Sequence, residues 1–352
     1  MLLHTTSVVF DCPPSHHDRY GRTLKMTANR YETLDSSSSY EGVTLLFAHC
    51  IGSHKEQWEP AIQHVFRLQQ SKPRHQRIRE AWTFDWQSHG DAATLNREAL
   101  GETREMGVCE SLLVFPSSSF PLHSELIFFQ AAYEWADSIA AFVRSPQMRG
   151  KRMVAVGHSA GTGAMMMSLR GNPLSSLPYS AMVLIEPFLA TREMYLRHAA
   201  EDTPAAVAAT MLRRTQWPSR SEAHAWLSQR APWRRWDARV LRIYVKHGLR
   251  ETDDGTVELK CDRRQEAMAY PDVEPHFDAV GEIKRVCRTV PIHLVWATRS
   301  DLVPKAIQDA LSDASKGRFV ASITRVEGRH LLVQEAPDRI AEAICAAVNR
   351  IG

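Results

Sequence analysis

The sequence predicts an α/β fold with a mostly parallel central sheet, because short apolar runs alternate with segments of helical periodicity. Apolar residues recur at three-to-four spacing in Glu125–Val143, and the helical run Ala160–Arg170 is followed by Gly171, a residue suited to a helix C-terminus. A closing amphipathic helix is predicted over Pro337–Asn349. The predicted strands are Thr44–Ala48, Trp82–Asp85, Met153–Val156, Ala181–Ile185, Ile292–Ala297 and Phe319–Arg325.

The bulk composition is that of a globular protein and argues against several classes of function. The chain has 352 residues, of which 44% are hydrophobic and 24% charged, with a mean hydropathy of −0.32. Its 43 basic and 40 acidic residues leave a net charge of +3, which gives no reason to expect nucleic acid or an anionic membrane as a partner. No apolar run approaches the roughly 18 residues of a bilayer span, so no integral membrane segment is expected.

The cysteines and the termini predict an intracellular, cytoplasmic protein. The six cysteines include no CxxC pair, so we expect neither a disulfide framework nor a bound metal, and no motif indicates a cofactor. The start, MLLHTTSVVFDCPPSHHDRYGR, lacks a basic segment followed by a long apolar core. The last three residues, Arg-Ile-Gly, are not an S-K-L type peroxisomal signal.

The stretch VAVGHSAGTG, residues 154–163, contains the pattern G-x-S-x-G with Ser159 at its centre. An apolar strand precedes the pattern and a helix follows it, which is the context that a nucleophile elbow requires. In that turn the serine hydroxyl is free at the edge of the sheet, and the N–H of Ala160 faces a developing oxyanion. We therefore predict Ser159 as a nucleophile and Ala160 as one oxyanion donor.

Several segments resemble the α/β-hydrolase fold superfamily, and in particular a fungal subgroup of secondary-metabolite serine hydrolases. They are AHCIGSHKEQWEP, DWQSHGDAATLN, GHSAG, LIEP and EGRH, and the resemblance covers residues 42–351. The subgroup includes host-toxin biosynthesis hydrolases and the acyl-CoA hydrolase of mycophenolic acid biosynthesis. The resemblance implies an α/β-hydrolase fold with a Ser-His-acid triad.

His330 is the predicted general base, because it closely follows the last predicted strand, where hydrolases of this fold place theirs. Serine is a poor nucleophile at its free pKa, so an imidazole that titrates near neutrality must take its proton. His158 occupies the variable position of the motif and is expected to point away from the chemistry. His89 and His293 are expected to be structural.

Two carboxylates are candidates for the acid of the triad. The usual site follows the penultimate strand, in WATRSDLVP, but the family's Asp-x-x-x-Pro spacing falls on Ser300 and leaves Asp301 one residue out of place. Glu186 ends the strand after the nucleophile helix and precedes Pro187, and the resembled acyl-CoA hydrolase takes its acid from that position. We favour Glu186, with Asp301 as the alternative.

The second oxyanion donor is expected in the loop after the Thr44–Ala48 strand. There His49-Cys50-Ile51-Gly52 occupies the place of the family's His-Gly-x-Gly. The N–H of Ile51, with Cys50 as the alternative, is expected to pair with that of Ala160.

Strand signals thin out after the strand that ends at Glu186, and we predict a helical lid there. The chain divides accordingly into a core segment 1–187, a lid 188–278 and a second core segment 279–352. Four aromatic residues of the lid are expected to contact an apolar part of the substrate, unless they only pack the lid on itself. They are Trp217, Trp233, Trp236 and Tyr244.

The predicted function is hydrolysis of a carboxylic ester, lactone or thioester, including acyl-CoA, through an acyl-enzyme on Ser159. The expected partner is a hydrophobic small molecule of fungal secondary metabolism. The alternative is a non-hydrolytic acyltransferase, cyclase or isomerase on the same scaffold, because fold alone does not separate these activities.

Overall fold

The computed structural model describes residues 3–14, 23–33, 41–105 and 131–351. Its centre is an eight-stranded sheet with the order β1-β2-β4-β3-β5-β6-β10-β11. The strands of this sheet are β1 His4–Asp11, β2 Lys25–Glu32, β3 Val43–Ala48, β4 Ile78–Phe84, β5 Arg152–His158, β6 Tyr179–Ile185, β10 Ile292–Ala297 and β11 Ser322–Val326. Three further strands, β7 Gln216–Trp217, β8 Leu249–Glu251 and β9 Val257–Leu259, form a separate small sheet.

The sheet is parallel from β4 to β11, which confirms the predicted α/β architecture. Only β1 and β2 run antiparallel, β1 against β2 and β2 against β4. These two strands have no counterpart among the predicted strands. The last strand begins at Ser322, three residues later than predicted, because residues 319–321 are outside the β10–β11 ladder.

Helices cover both faces of the sheet. They are α1 Glu59–Gln69, α2 Gly90–Leu95, α3 Arg97–Glu105, α4 Ala131–Arg144, α5 Ala160–Met167, α6 Arg192–His198, α7 Thr203–Leu212, α8 Arg220–Ser228, α9 Ala238–His247, α10 Arg263–Met268, α11 Glu274–Val286, α12 Lys305–Leu311, α13 Leu332–Glu335 and α14 Pro337–Val348. The first six residues of the predicted helix 125–143 lie outside the described residues.

The hydrophobic core has two layers, one on each side of the sheet. Residues of α4, α5 and α11 pack on one face, and residues of α1 and α14 pack on the other. Strands β3 and β10 are therefore buried along their whole length, which explains their continuous apolar sequences. Within the described residues, no helix has the length and apolar character that crossing a membrane requires.

The segment 188–278 contains the predicted helices, α6 to α10, but it is not purely helical. It holds the three-stranded antiparallel sheet β7-β9-β8 besides its helices. Each of these strands is only two or three residues long, so none shows the alternating pattern by which strands are recognised. Helix α11 also runs across the predicted boundary at residue 278 and packs against the core with Ala279 and Ile283.

The start of α5 presses against the end of β3. A Cβ atom on Gly161 would lie 2.4 Å from the carbonyl oxygen of Ala48 and 2.6 Å from that of His49. Both contacts are with main-chain atoms, so no side-chain movement can relieve them. Only glycine allows the helix that carries the G-x-S-x-G turn to come this close to the strand.

Substitution of Gly161 by alanine is expected to destabilise the fold by about 1–3 kcal/mol, as overpacking does in well-packed cores. The free energy of unfolding in urea measures this effect. Gly281→Ala is the matched control, since an added Cβ there meets nothing within 4 Å and alanine favours the helix by up to about 1 kcal/mol. Equal stability of Gly161→Ala and the wild type would contradict the close approach.

Candidate active site

Ser159 stands on a strained turn between β5 and α5. Its backbone has φ 53° and ψ −120°, a left-handed region that a residue with a side chain adopts only at a cost of about 1–3 kcal/mol. The N–H of Ser159 donates to the carbonyl of Ile185 at 3.0 Å, which ties the turn to β6. A Cβ on Gly157 would lie 2.6 Å from the Cα of Thr162, so the first glycine of the motif is also required by space.

Ser159, His330 and Glu186 form one continuous series of hydrogen bonds. The Oγ of Ser159 lies 2.8 Å from Nε2 of His330, and Nδ1 of His330 lies 3.1 Å from Oε2 of Glu186. Their exposed fractions are 7%, 6% and 1%. Because an ionised carboxylate only accepts, Nδ1 carries the proton, and the lone pair of Nε2 faces the serine hydroxyl.

Glu186 is held rigidly at the end of β6. Its φ is 47°, so it shares with Ser159 a positive φ that non-glycine residues rarely adopt. Its N–H donates to Val295, and its Oε1 accepts from the N–H of Ala297 at 2.6 Å. The carboxylate thus uses one oxygen to fasten itself to β10 and the other to contact His330.

Asp301, the alternative acid, contacts the main chain of His330 and not its ring. Its Oδ1 accepts from the N–H of His330 at 3.0 Å, and its Oδ2 lies 3.6 Å from Arg329. The neighbouring Ser300, at the family's usual acid position, accepts from Gln308 at 2.9 Å. The structure therefore brings Glu186 to the imidazole and Asp301 to the backbone beside it.

The candidate oxyanion donors follow β3 and begin α5. Ala160 is the first residue of α5, so its N–H is one of the donors that have no partner inside the helix. The loop at Cys50 and Ile51 is fixed through a carbonyl, since the oxygen of Cys50 accepts from Nδ1 of His49 at 2.7 Å and from the N–H of Ser53 at 3.2 Å. The carbonyl of Cys50 and the N–H of Ile51 belong to one trans peptide and point in opposite directions, so these bonds also aim the N–H of Ile51.

His49, whose ring binds the carbonyl of the Cys50–Ile51 peptide, is a neutral imidazole. Burial lowers the pKa of His49 to about 4, against the opposing effect of the Asp85 carboxylate. The Nε2 of His49 accepts from the N–H of Trp86 at 3.2 Å, which leaves Nδ1 as the protonated nitrogen. His89 acts in the same region, because its Nε2 accepts from the N–H of Gly52 at 3.1 Å.

His158 does not point away from the site as the sequence analysis expected. Its Nε2 lies 2.8 Å from the carbonyl oxygen of His330, and the two imidazole rings are 5.5 Å apart. The expectation rests on the variable position of the motif, which in other chains of the fold carries no fixed side chain. In this chain the segment that carries His330 folds back over that position.

The sequence did not predict a buried lysine that lies beside the candidate oxyanion loop, residues 49–53. Lys55 is 1% exposed, and its Nζ lies 2.8 Å from Asp85, 2.8 Å from Glu56 and 2.6 Å from Asp91. Burial lowers the pKa of Lys55, but the three carboxylates outweigh this effect and raise it above its ordinary value. The cluster joins the oxyanion loop to the loop after β4, and Asp91 also pairs with Lys260 of segment 188–278 (the insert).

The four predicted substrate-binding aromatics pack on one another in the core of the insert. Trp236 contacts Trp233 and Tyr244 with ring centroids 6.5 and 5.3 Å apart, and Trp217 joins the group through Trp226. This packing accounts for the burial of Trp217, Trp233 and Tyr244, and for the partial burial of Trp236, without a ligand. Tyr244 also lines a cavity whose walls include Gly52 and Ser53 of the oxyanion loop and Leu259, Cys261 and Glu266 of the insert.

Comparisons with known proteins show which family this chain belongs to. The model of the alpha/beta hydrolase family matches residues 45–343. The chain is 33% identical over 137 residues to the abhydrolase domain-containing protein AKT2 of Alternaria alternata, and the match covers 37% of this chain and 48% of that protein. A second protein of the same fungus, AFT2-1, is 32% identical over an equal length. The chain thus spans about half the length of the curated relatives it matches.

Solved structures with lower identity share the fold. The peroxisomal α/β-hydrolase Lpx1 from Saccharomyces cerevisiae has a TM-score of 0.72 at 17% identity, over 99% of this chain and 89% of that one. An esterase of Mycobacterium tuberculosis has a TM-score of 0.60 at 15% identity, over 99% and 93% of the two chains. The extent of the family match, together with the sheet and the elbow, shows that this chain belongs to the alpha/beta hydrolase family.

Proposed function

We propose that this chain is a serine hydrolase that cleaves an ester, lactone or thioester of a small hydrophobic molecule. The observation that carries the proposal is the series of hydrogen bonds from Ser159 through His330 to Glu186. A buried carboxylate, an imidazole and a serine hydroxyl in that order are the parts that nucleophilic acyl transfer needs. Ser159 is the nucleophile, His330 the general base and Glu186 the acid.

In the proposed reaction the Oγ of Ser159 attacks the carbonyl carbon, and Nε2 of His330 takes the hydroxyl proton. The carboxylate of Glu186 stabilises the imidazolium through Nδ1–H. The imidazolium then gives its proton to the leaving alcohol or thiol as the tetrahedral intermediate collapses. A water molecule, deprotonated by His330, attacks the acyl-enzyme and releases the acid and the free serine.

The N–H groups of Ile51 and Ala160 are proposed to stabilise the oxyanion. Support comes from their places in the fold, at the end of β3 and at the start of α5, which the contact of Gly161 with Ala48 holds together. Donors fixed before the reaction need no reorganisation when charge develops on the substrate oxygen. Cys50 is the less favoured donor, because its N–H belongs to the preceding peptide, which the bonds from His49 and Ser53 to the Cys50 carbonyl do not orient.

The segment 188–278, between the core segments 1–187 and 279–352, is proposed to act as a lid that contacts the substrate. Its support is that Tyr244 and Leu259 line a small cavity together with Gly52 and Ser53, which directly follow the proposed donor Ile51 in the chain. Of the four aromatics considered, Tyr244 is the one that lines this cavity, so we propose it as a substrate contact and Trp217, Trp233 and Trp236 as its packing support. The resemblance to fungal secondary-metabolite hydrolases supports a small natural product as the substrate.

An intracellular location is proposed on the state of the cysteines. Cys12, Cys50, Cys261, Cys287 and Cys345 are all buried free thiols, and Cys109 lies outside the described residues. Free cysteines persist best in a reducing compartment.

Ser159→Ala is expected to abolish both turnover and covalent labelling by a fluorophosphonate probe, because it removes the nucleophile. Turnover is measured on a panel of p-nitrophenyl esters, lactones and acyl-CoAs, and mass spectrometry locates the label. Ser176→Ala, an exposed serine, is the matched control and should keep both. Undiminished turnover in Ser159→Ala would contradict the covalent mechanism.

Glu186→Gln is expected to lower kcat by roughly three to four orders of magnitude, by analogy with the loss of the acid from other triads. The amide cannot stabilise the imidazolium, although it can still accept from Ala297. The measurement is kcat, with the melting temperature as a check on folding. Glu193→Gln, the same change on the exposed face of α6, should leave kcat unchanged. Wild-type kcat in Glu186→Gln would remove Glu186 from the triad.

A further inference from the structure

We propose that Asp301 and His158 are positioning residues. They orient the general base, His330, through hydrogen bonds to its main-chain N–H and carbonyl. Asp301 accepts from the N–H of His330, and His158 donates to its carbonyl oxygen. This inference rests on the proposed function, since it assigns a role to residues that support His330 in that reaction.

The two contacts restrain both backbone dihedrals of His330. The N–H belongs to the peptide before the residue and the carbonyl to the peptide after it, so fixing both groups fixes φ and ψ between them. The structure gives the His330 main chain no other hydrogen bond among the described residues. The side chain then has only its χ1 and χ2 angles left, and its contacts with Ser159 and Glu186 settle these.

The tautomer of His158 follows from its partner. A carbonyl oxygen only accepts, so Nε2 of His158 carries the proton. Burial lowers the pKa of His158 to about 3, which keeps the ring neutral and leaves Nδ1 without a proton. Among the described residues Nδ1 has no hydrogen-bond partner, so the contact with His330 is the one bond that this fully buried ring makes.

A buried polar ring with one unpaired nitrogen costs stability relative to an apolar side chain of similar size. Packing therefore does not account for an imidazole at position 158. The hydrogen bond to His330 accounts for the imidazole at this position. This bond joins His158, the last residue of β5 and the neighbour of the nucleophile, to the loop that carries the base. The elbow and the histidine loop are thereby fixed relative to each other.

Asp301 acts here through its hydrogen bond more than through its charge. Its side chain is 34% exposed, so solvent screens the carboxylate, and its distance of 3.6 Å to Arg329 is long for an ion pair. The 3.0 Å contact with the N–H of His330 needs only an acceptor oxygen. Asparagine supplies such an oxygen on a side chain of the same length, whereas alanine does not.

Comparison of Asp301→Ala with Asp301→Asn separates the hydrogen bond of Asp301 from its charge. We expect Asp301→Ala to lose about tenfold in kcat and in the rate of fluorophosphonate labelling, as the loss of one hydrogen bond does. We expect KM to change less than twofold, because the proposed role of Asp301 is to orient His330 and not to bind the substrate. Asp301→Asn should recover kcat to within about threefold of the wild type. Melting temperatures of both variants show whether any loss comes from unfolding.

A second pair of variants tests the hydrogen bond from His158 to the carbonyl of His330. His158→Leu removes the donor, and His158→Gln places an amide N–H the same number of bonds from the backbone. The leucine variant is expected to lose about tenfold in kcat and the glutamine variant less. Wild-type kcat in His158→Leu would overturn the role of His158. Where that variant does not fold, a loss of more than about tenfold in kcat in a folded His158→Gln would overturn it.

Wild-type kcat in Asp301→Ala would overturn the proposal. Equal losses of kcat in Asp301→Asn and Asp301→Ala would also overturn it, because the loss would then come from the charge of Asp301 and not from its hydrogen bond. A loss of three orders of magnitude in both Asp301 variants, with an active Glu186→Gln, would make Asp301 the acid and also overturn it. Failure of the proposed function has a different signature, namely turnover that survives in Ser159→Ala.

Discussion

The approach of Gly161 to the carbonyl oxygens of Ala48 and His49 is the constraint on which the candidate site depends. It sets the start of α5 against the end of β3, so that Ala160 and Ile51 lie on the two chain segments that meet there. The turn that makes this approach possible forces Ser159 to a positive φ. The strain is local, and the parallel sheet on both sides of β5 stabilises the turn against it.

Around this contact, buried polar groups hold one another in single orientations. Glu186 divides its two oxygens between β10 and His330, and His49 divides its two nitrogens between Cys50 and Trp86. In such low-dielectric surroundings hydrogen bonds and charges interact more strongly than in water. The hydrogen bonds from Ser159 through His330 to Glu186 are therefore in place without a substrate, and the proposed function depends on such preorganisation for electrostatic stabilisation of the transition state.

Local patterns were sufficient for the elbow, the central strands and the place of His330, because each depends on a short stretch of sequence. The choice between Glu186 and Asp301 was harder, since both follow strands at the same edge, and only coordinates show which one contacts a ring and which a backbone. The short strands β7–β9 and the buried ammonium of Lys55 depend on partners far along the chain. A charged residue in the sequence gives no sign that three carboxylates will surround it.

The structure of a phosphonate adduct would test the central claim most directly. If the account is correct, phosphorus is bonded to Oγ of Ser159, and the phosphonyl oxygen lies about 2.7–3.1 Å from the N–H groups of both Ile51 and Ala160. His330 would remain between the adduct and Glu186. An adduct on another residue, or a phosphonyl oxygen turned away from both N–H groups, would contradict it.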